Sequence, residues 1–392
     1  MKEKIDVLIA GAGFSGLVLA ERLSSTGHRC VVVEKRAHIG GNAWDTVDQN
    51  GVLYHPYGPH YFRTNSRLVR DYLSRFTEWQ PVEYKIKSWT EGRYWSFPVN
   101  LTTFEQLIGR AATEEEFKAW LEEKRVPIAN PKNSEEVILS QVGHELYEKF
   151  FRGYTLKHWH RHPRDLDASV AARIPIRTNR DDHYLREEFQ ALPKHGYNVL
   201  FEQLVAASRG LVIRLETDFQ QVRSEYEAKH IIYTGPVDAY FGFCYGRLPW
   251  RSLRFELESF TAEALAGREA IAGKPGYWQP AMQVNYPNDY EYTRSVEIKH
   301  ATQQASDSTN IVREYPQDDA PGREPYYPIP APDARALYER YRLLAAAESG
   351  VSFCGRLATY HYYNMDQVTA MALHEFDRLT APGGLLSSPS EI

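Results

Sequence analysis

Ile5-Asp6-Val7-Leu8-Ile9-Ala10-Gly11-Ala12-Gly13-Phe14-Ser15-Gly16-Leu17 is the stretch that decides the fold. The apolar run Val7 to Ala10 reads as a core strand, and a glycine turn follows at once. Leu17, Ala20 and Leu23 then recur at helical spacing before Gly27, and a β-branched run from Cys30 to Val33 ends in Glu34. Strand, glycine turn, helix and strand with a terminal acid is the order a dinucleotide-binding unit requires. Gly11 permits the tight turn, Gly13 lets the backbone approach a pyrophosphate, and Gly16 allows close packing of helix on strand. The helix N-terminus faces the phosphates with unpaired N–H groups. Glu34 is placed to accept from ribose hydroxyls and to repel a 2′-phosphate. A glycine turn without a ligand is the plainer alternative, but strand, helix and acid together favour the nucleotide. The second pair, Gly40-Gly41, lies just beyond the acid, where an ordinary NAD enzyme would begin another helix. It lets the chain fold back along an extended cofactor, which suits FAD.

Composition bounds the rest. The 392 residues, 43% hydrophobic and 25% charged, suffice for two or three domains with a large core. A net charge of -5 argues against a general nucleic-acid binder. Lys2 and Lys4 precede an apolar stretch, but Asp6 and the glycine turn inside it make that stretch a core strand rather than a secretion signal. No run approaches the roughly 20 apolar residues that cross a bilayer. Cys30, Cys244 and Cys354 read as buried free thiols of a reducing cytoplasm. The 26 tyrosines and 8 tryptophans suit sugar and nucleotide surfaces.

Along the chain, 51–65 reads as short extended pieces, with His60 in a Gly-Pro-His turn where it is either a core histidine or a flavin neighbour. Residues 66–80 are expected to be helical and 82–100 to form a hairpin. Helices follow with capping boxes at Thr102/Glu105, Thr113/Glu116 and Asn133/Glu136. The last of them shows Leu139, Val142, Leu146 and Phe150 on one face, and the aromatics from Phe151 to Trp159 just beyond it suggest a binding wall. His158, His160 and His162 would share one strand face, but Pro163 and the interleaved Trp159 and Arg161 argue for solvated or substrate-side residues over a metal site. Arg173 to Asp182 reads as a loop whose arginines could close over a phosphate. A helix over 198–208 leads to Val212-Ile213 and to the run from His230 to Gly235, which reads as a buried parallel strand. Alternation from Leu253 to Glu314 predicts an antiparallel sheet interrupted by loops near Gly273 to Tyr277 and Gln303 to Thr309. A helix over 334–347, a strand at Val351 to Phe353, and a final helix capped by Asn364 with Val368, Met371, Ala372 and Phe376 inward complete the chain. The tail from Ser387 is expected to fray.

Separated motifs now point one way: Ile39-Gly40-Gly41-Asn42, Tyr57-Gly58-Pro59-His60, Gly153-Tyr154-Thr155 with Trp159, Arg173-Ile174-Pro175, Tyr233-Thr234-Gly235-Pro236, Tyr292-Thr293-Arg294, Glu324-Pro325-Tyr326-Tyr327-Pro328, and Gly355-Arg356-Leu357 leading to Tyr362-Tyr363-Asn364-Met365. In this order they resemble the bacterial UDP-galactopyranose mutases, from Gly11 to about Phe376. The resemblance implies an α/β chain: a Rossmann-type FAD-binding domain (1–65, 190–245 and 348–392), a mainly helical insert (66–180) with a mobile loop near 165–182, and an antiparallel sheet domain for the substrate (246–347 with 82–98). It implies a cytoplasmic homodimer or larger homo-oligomer that binds no nucleic acid, spans no membrane, holds no metal, and serves galactofuranose biosynthesis for the cell wall.

The same resemblance implies residue roles. Phe151, Tyr154, Thr155, Trp159 and Asn285 would meet the nucleotide, with Tyr154 stacking on the base. Arg173 and Arg294 would hold the pyrophosphate with Tyr184, Tyr327 and Tyr362. Gly11, Gly13, Ser15, Gly16, Glu34, Lys35, Gly41 and Asn42 would hold the adenosine and pyrophosphate of FAD. His60, Tyr61, Arg356, Tyr362, Asn364 and Met365 would line the rest of the cofactor site, and His60, Arg173 and Arg294 would serve catalysis. Reduced FAD would attack the anomeric carbon of UDP-galactose through N5 and displace UDP, with no net redox change. Departures from the family pattern are His158 where Gln is usual, His160 where Gly is frequent, the Tyr84-Lys85-Ile86-Lys87 stretch, and Asn364 where some members carry Asp. They leave open a mutase of dTDP-fucose or UDP-N-acetylgalactosamine. An amine-oxidase-like FAD oxidoreductase and a non-catalytic nucleotide-sugar sensor are the readings from other classes.

Overall fold

The computed structural model describes residues 2–267 and 275–387. The loop expected from Gly273 therefore begins outside the described residues, and so does the tail beyond Ser387.

Five parallel strands form the first sheet, in the order Val212–Arg214, Cys30–Val33, Glu3–Ala10, Tyr226–Tyr233 and Val351–Phe353. The apolar runs 7–10 and 30–33 at its centre suit a sheet buried on both faces. Val7, Ile9, Val32 and Ile232 join one core, while Leu8, Ala10, Val31 and Val33 join another on the opposite face. Each of these valine, leucine and isoleucine side chains contributes about 1.5–3 kcal/mol on burial. The helices Phe14–Ser25 and Met365–Thr380 lie against each other beside the sheet. Two glycines make the turn between strand and helix possible. Gly11 adopts φ 103, and a Cβ on Gly16 would stand 1.9 Å from the Gly11 carbonyl oxygen.

The second sheet has seven strands, in the order Tyr327–Pro328, Trp250–Phe260, Thr309–Asp318, Arg294–Val296, Gln283–Asn285, Ile86–Thr90 and Arg93–Phe97. It is antiparallel except that Gln283–Asn285 runs parallel to Ile86–Thr90, so the sheet is mixed rather than purely antiparallel. The register puts Asn285 opposite Arg294 and Arg294 opposite Glu314. Three polar residues far apart in sequence thus stand in one row.

Local signals competed in several places. The expected 66–80 helix stops early, at Arg67–Leu73, and Trp79–Pro81 instead pairs with Phe189–Pro193. Trp79 stacks on Phe62 at 4.7 Å, and tertiary packing outweighs helix propensity there. The box at Thr102/Glu105 is displaced by two residues: Asn100 Oδ1 accepts from the Thr103 N–H and Thr103 Oγ1 accepts from the Asn100 N–H, both at 3.1 Å. Glu105 is used elsewhere, accepting from the Ala112 N–H at 3.1 Å. Thr113 and Glu116 do form their box. Asn133 caps its helix, but Glu136 accepts from the Lys132 N–H instead of completing the box.

The stripe from Leu139 to Phe150 is buried, yet the helix carrying it bends at Gly143, where φ is 75, and passes through a π-helical turn at Tyr147–Arg152. Such turns collect at functional sites. The wall from Phe151 to Trp159 therefore lies within a continuing helix, not beyond a helix end. His158 sits on the helix Gly153–Trp159, His160 adopts a left-handed conformation after it, and His162 caps a short 3-10 turn, so the three histidines share no strand face. His160 pairs with Asp318 at 3.0 Å, and His158 is buried rather than solvated. Cys244 is exposed, unlike Cys30 and Cys354. Among the described residues no helix is long and apolar enough to cross a membrane.

Candidate functional site

Two adjoining cavities organise the site. The first, of about 420 Å³, runs along the carboxyl ends of the parallel strands. Gly11, Gly13, Ser15, Glu34, Lys35, Gly41 and Asn42 line one part of it, and His60, Arg356, Asn364 and Met365 the other. Gly16 stays outside, its work being the close packing on Gly11. Gly13 caps the first helix without a side chain, leaving N–H groups aimed at the cleft. The second glycine pair is tied to the first turn, since the Gly40 N–H donates to the Ala12 carbonyl at 2.7 Å, and a Cβ on Gly13 would meet Gly41 Cα at 3.8 Å.

Glu34 is buried at the end of its strand. Its carboxylate accepts from the N–H groups of Ala12 at 2.8 Å and Arg36 at 3.0 Å, which fixes its direction and leaves lone pairs for a ligand. Arg36 donates to Asn42 at 2.8 Å and, with Lys35, reaches Glu324. His60 Nδ1 lies 2.8 Å from the Gly58 carbonyl. Burial, aided by the cations Arg356, Arg294 and Arg36, pushes its pKa down to about 4, so the ring is neutral. Arg356 is held by the Tyr363 carbonyl at 3.1 and 2.6 Å.

The second cavity, of about 240 Å³, gathers Phe151, Tyr154, Thr155 and Trp159 from the bent helix, Asn285 and Arg294 from the mixed sheet, and Arg173, Tyr184, Tyr327 and Tyr362 from loops and an edge strand. Tyr61 lines this cavity and not the first; Asn364 lines both and so marks where they meet. Arg294 donates through Nε and Nη2 to Glu314 Oε2 at 2.8 and 2.6 Å and approaches the Tyr327 hydroxyl at 3.4 Å. The guanidinium groups of Arg173 and Arg356 lie 5.0 and 5.1 Å from the Tyr362 ring centre. Burial pushes the Tyr362 phenol up, but Arg173, Arg356 and Arg294 outweigh it and draw the pKa below its usual value. Tyr362 keeps 37% of its surface open, so a ligand can reach it. The cavity therefore concentrates cationic and phenolic donors.

Sequence reasoning missed Glu314, Gln283 and Arg63, noted Tyr84 only as a departure, and read His158 as a departure and as solvated or substrate-side, of which the cavity lining bears out the second. Tyr84 donates to Gln283 Oε1, and Gln283 Nε2 donates to Asn285 Oδ1 at 2.8 Å, which orients Asn285. The one available signal for Glu314 is an acid two residues after Val312, hence on the same buried face of the strand Thr309–Asp318.

The fold and the paired cavities define the class: a Rossmann-type dinucleotide fold joined to a mixed sheet that carries a cationic, aromatic pocket. The sequence profile of the UDP-galactopyranose mutases matches residues 149–362, and that of NAD(P)-binding Rossmann-like domains matches residues 9–76. A probable UDP-galactopyranose mutase of Klebsiella pneumoniae is 37% identical over 95% of this chain and 94% of its own. A dTDP-fucopyranose mutase of Escherichia coli is 32% identical over 92% and 94%. A solved structure of reduced UDP-galactopyranose mutase superimposes with a TM-score of 0.73 at 17% identity, covering 95% of each chain, which bears on the fold alone. The chain belongs to the UDP-galactopyranose mutase family and is an enzyme of the isomerase class.

Proposed function

We propose that this enzyme interconverts UDP-galactopyranose and UDP-galactofuranose, with FAD in the first cavity and the sugar nucleotide in the second. The observation that carries the reading is the pairing of Arg173 and Arg294 with Tyr184, Tyr327 and Tyr362 around one cavity that meets the dinucleotide cleft at Asn364. The cleft fits the cofactor: the open helix terminus and the side-chain-free cradle of Gly11, Gly13 and Gly41 suit a pyrophosphate, and the oriented Glu34 carboxylate suits a ribose. Neutral His60, with Arg356 and Met365, borders the part left for the ring system. When bound and reduced, FAD supplies a nucleophilic N5 for the anomeric carbon, which explains a flavin in a ring contraction without net redox change.

The chain's own residues do the remaining work. Tyr154 and Trp159, with Phe151 and Thr155, hold the base, and Asn285 is presented to the nucleotide by its bond from Gln283. Arg173, Arg294 and the phenols neutralise charge that builds on the departing diphosphate and keep it bound for return. The segment 165–182, which carries Arg173, closes over the diphosphate and excludes water. The test is to incubate dithionite-reduced enzyme with UDP-galactofuranose, dTDP-fucofuranose and UDP-N-acetylgalactosamine in parallel. Conversion of the first to its pyranose only under reducing conditions is expected. Preference for dTDP-fucofuranose would assign the activity of the second relative, and consumption of substrate only with an electron acceptor would assign an oxidoreductase.

A further inference from the structure

Two buried polar atoms at the back of the second cavity have no partner. His158 Nδ1 and Glu314 Oε1 are both sealed from solvent and hydrogen-bond to nothing, although they face each other across 4.0 Å. The residues are only 7% and 1% exposed. Leaving buried polar atoms unpaired is costly, and neither side chain is free to drift. Glu314 is pinned through its other oxygen by two bonds from Arg294. His158 stacks on Tyr154 at 5.8 Å with its ring nearly parallel, meets Trp159 edge-on at 5.0 Å and lies 5.5 Å from Tyr327, while its carbonyl accepts from the buried Arg251 Nε at 2.9 Å.

This setting decides which nitrogen carries the proton. Burial first, and then the neighbouring cations Arg294, Arg173, Arg251 and His160, hold the imidazole well below its ordinary pKa, so it has a single proton. A lone pair on Nδ1 aimed at a carboxylate oxygen is repulsive, whereas an N–H there is attractive. Electrostatics therefore assign the proton to Nδ1 and leave the lone pair on Nε2. Nε2 is not among the sealed atoms, and the ring borders the cavity. Around it the wall offers mainly donors, namely Arg63, Arg173, Arg294 and the phenols. An acceptor in such surroundings repels phosphate oxygens and selects an N–H or O–H.

We propose that His158 is a specificity-determining contact of this site, presenting Nε2 as a hydrogen-bond acceptor to a donor of the nucleotide sugar, either a sugar hydroxyl or the imide N–H of the base. The proposal rests on the nucleotide-sugar reading above. It is tested by calorimetric titration of UDP and UDP-galactose into the flavin-loaded enzyme, its His158→Phe variant and its His158→Gln variant. Phenylalanine keeps the stacking but has no acceptor, so affinity should fall about tenfold, while the glutamine carbonyl should hold it within about threefold of wild type. Loss for both ligands supports the proposal and puts the donor on the uridine; loss for UDP-galactose alone supports it and puts the donor on the galactose. Wild-type affinity of His158→Phe for both ligands, or glutamine as weak as phenylalanine, would overturn it. Should His158→Phe not fold, nitrogen NMR of histidine-labelled wild type decides: an unprotonated Nε2 is expected, and a protonated one overturns the proposal. A wild type that binds neither ligand overturns the nucleotide-sugar reading and the contact with it, a result distinct from a binding wild type matched by His158→Phe.

Discussion

Removing the Arg294 guanidinium should do two separable kinds of damage. Arg294 places two hydrogen bonds on Glu314 Oε2, and Glu314 is 1% exposed. Arg294→Met therefore strands a buried carboxylate, and breaking a buried pair from one side costs roughly 3–5 kcal/mol of stability. On the proposed reading the same change also removes a donor from the diphosphate, and loss of one such preorganised donor lowers kcat by roughly 10²–10³-fold. The effects part company in Arg294→Met/Glu314→Gln, where no charge is left unpaired. We expect the double variant to recover most of the lost stability in urea unfolding while staying at least 10²-fold slow in reduced turnover assays. Recovery of activity along with stability would show that Arg294 serves only to neutralise Glu314. A stable single variant would show that Glu314 does not need its cation.

Other consequences follow from the same geometry. Gly13→Asp puts a carboxylate at the open helix terminus beside Gly41, and the protein should fold with unchanged far-UV dichroism but purify without flavin absorbance. Trp159→Ala should weaken UDP binding roughly tenfold in titration calorimetry, while Trp159→Phe retains most of the affinity; equal affinity in all three would make the aromatic wall structural only. Burial and the neighbouring His60 push the His55 pKa down to about 3, and His60 falls to about 4, so both rings are neutral in the fold. Unfolded imidazoles titrate near about 6.5, so the unfolded chain binds more protons between about pH 6.5 and 4, and stability is lost as pH falls through that window. The melting temperature of His55→Phe should decline less steeply there than that of wild type; parallel declines would contradict a buried neutral His55.

What was legible in the sequence was local. The turn at Gly11, Gly13 and Gly16, the Thr113/Glu116 cap and the strands ending at Val33 and Tyr233 depend on neighbours a few residues away. The donors lining the second cavity came from their resemblance to one family, since no periodicity announces that Arg173, Arg294 and Tyr362 converge. What escaped was non-local. Arg294 meets Glu314 only through the register of two strands 20 residues apart, and Asn285 gains its orientation through Gln283 and Tyr84. Trp79 leaves a helical segment because Phe62 offers it a stacking face. Spacing two would put His158, His160 and His162 on one face only in a strand, whereas the helix running from the π-turn continues through Trp159 and buries the first of them.

The count of turnovers per reducing equivalent tests the central claim most directly. Enzyme reduced once with stoichiometric dithionite under anaerobic conditions, then given excess UDP-galactofuranose, should release many UDP-galactopyranose molecules per flavin with the flavin still reduced at the end. Product limited to one per reducing equivalent, or equal rates with oxidised enzyme, would contradict a redox-neutral mutase that depends on the reduced cofactor.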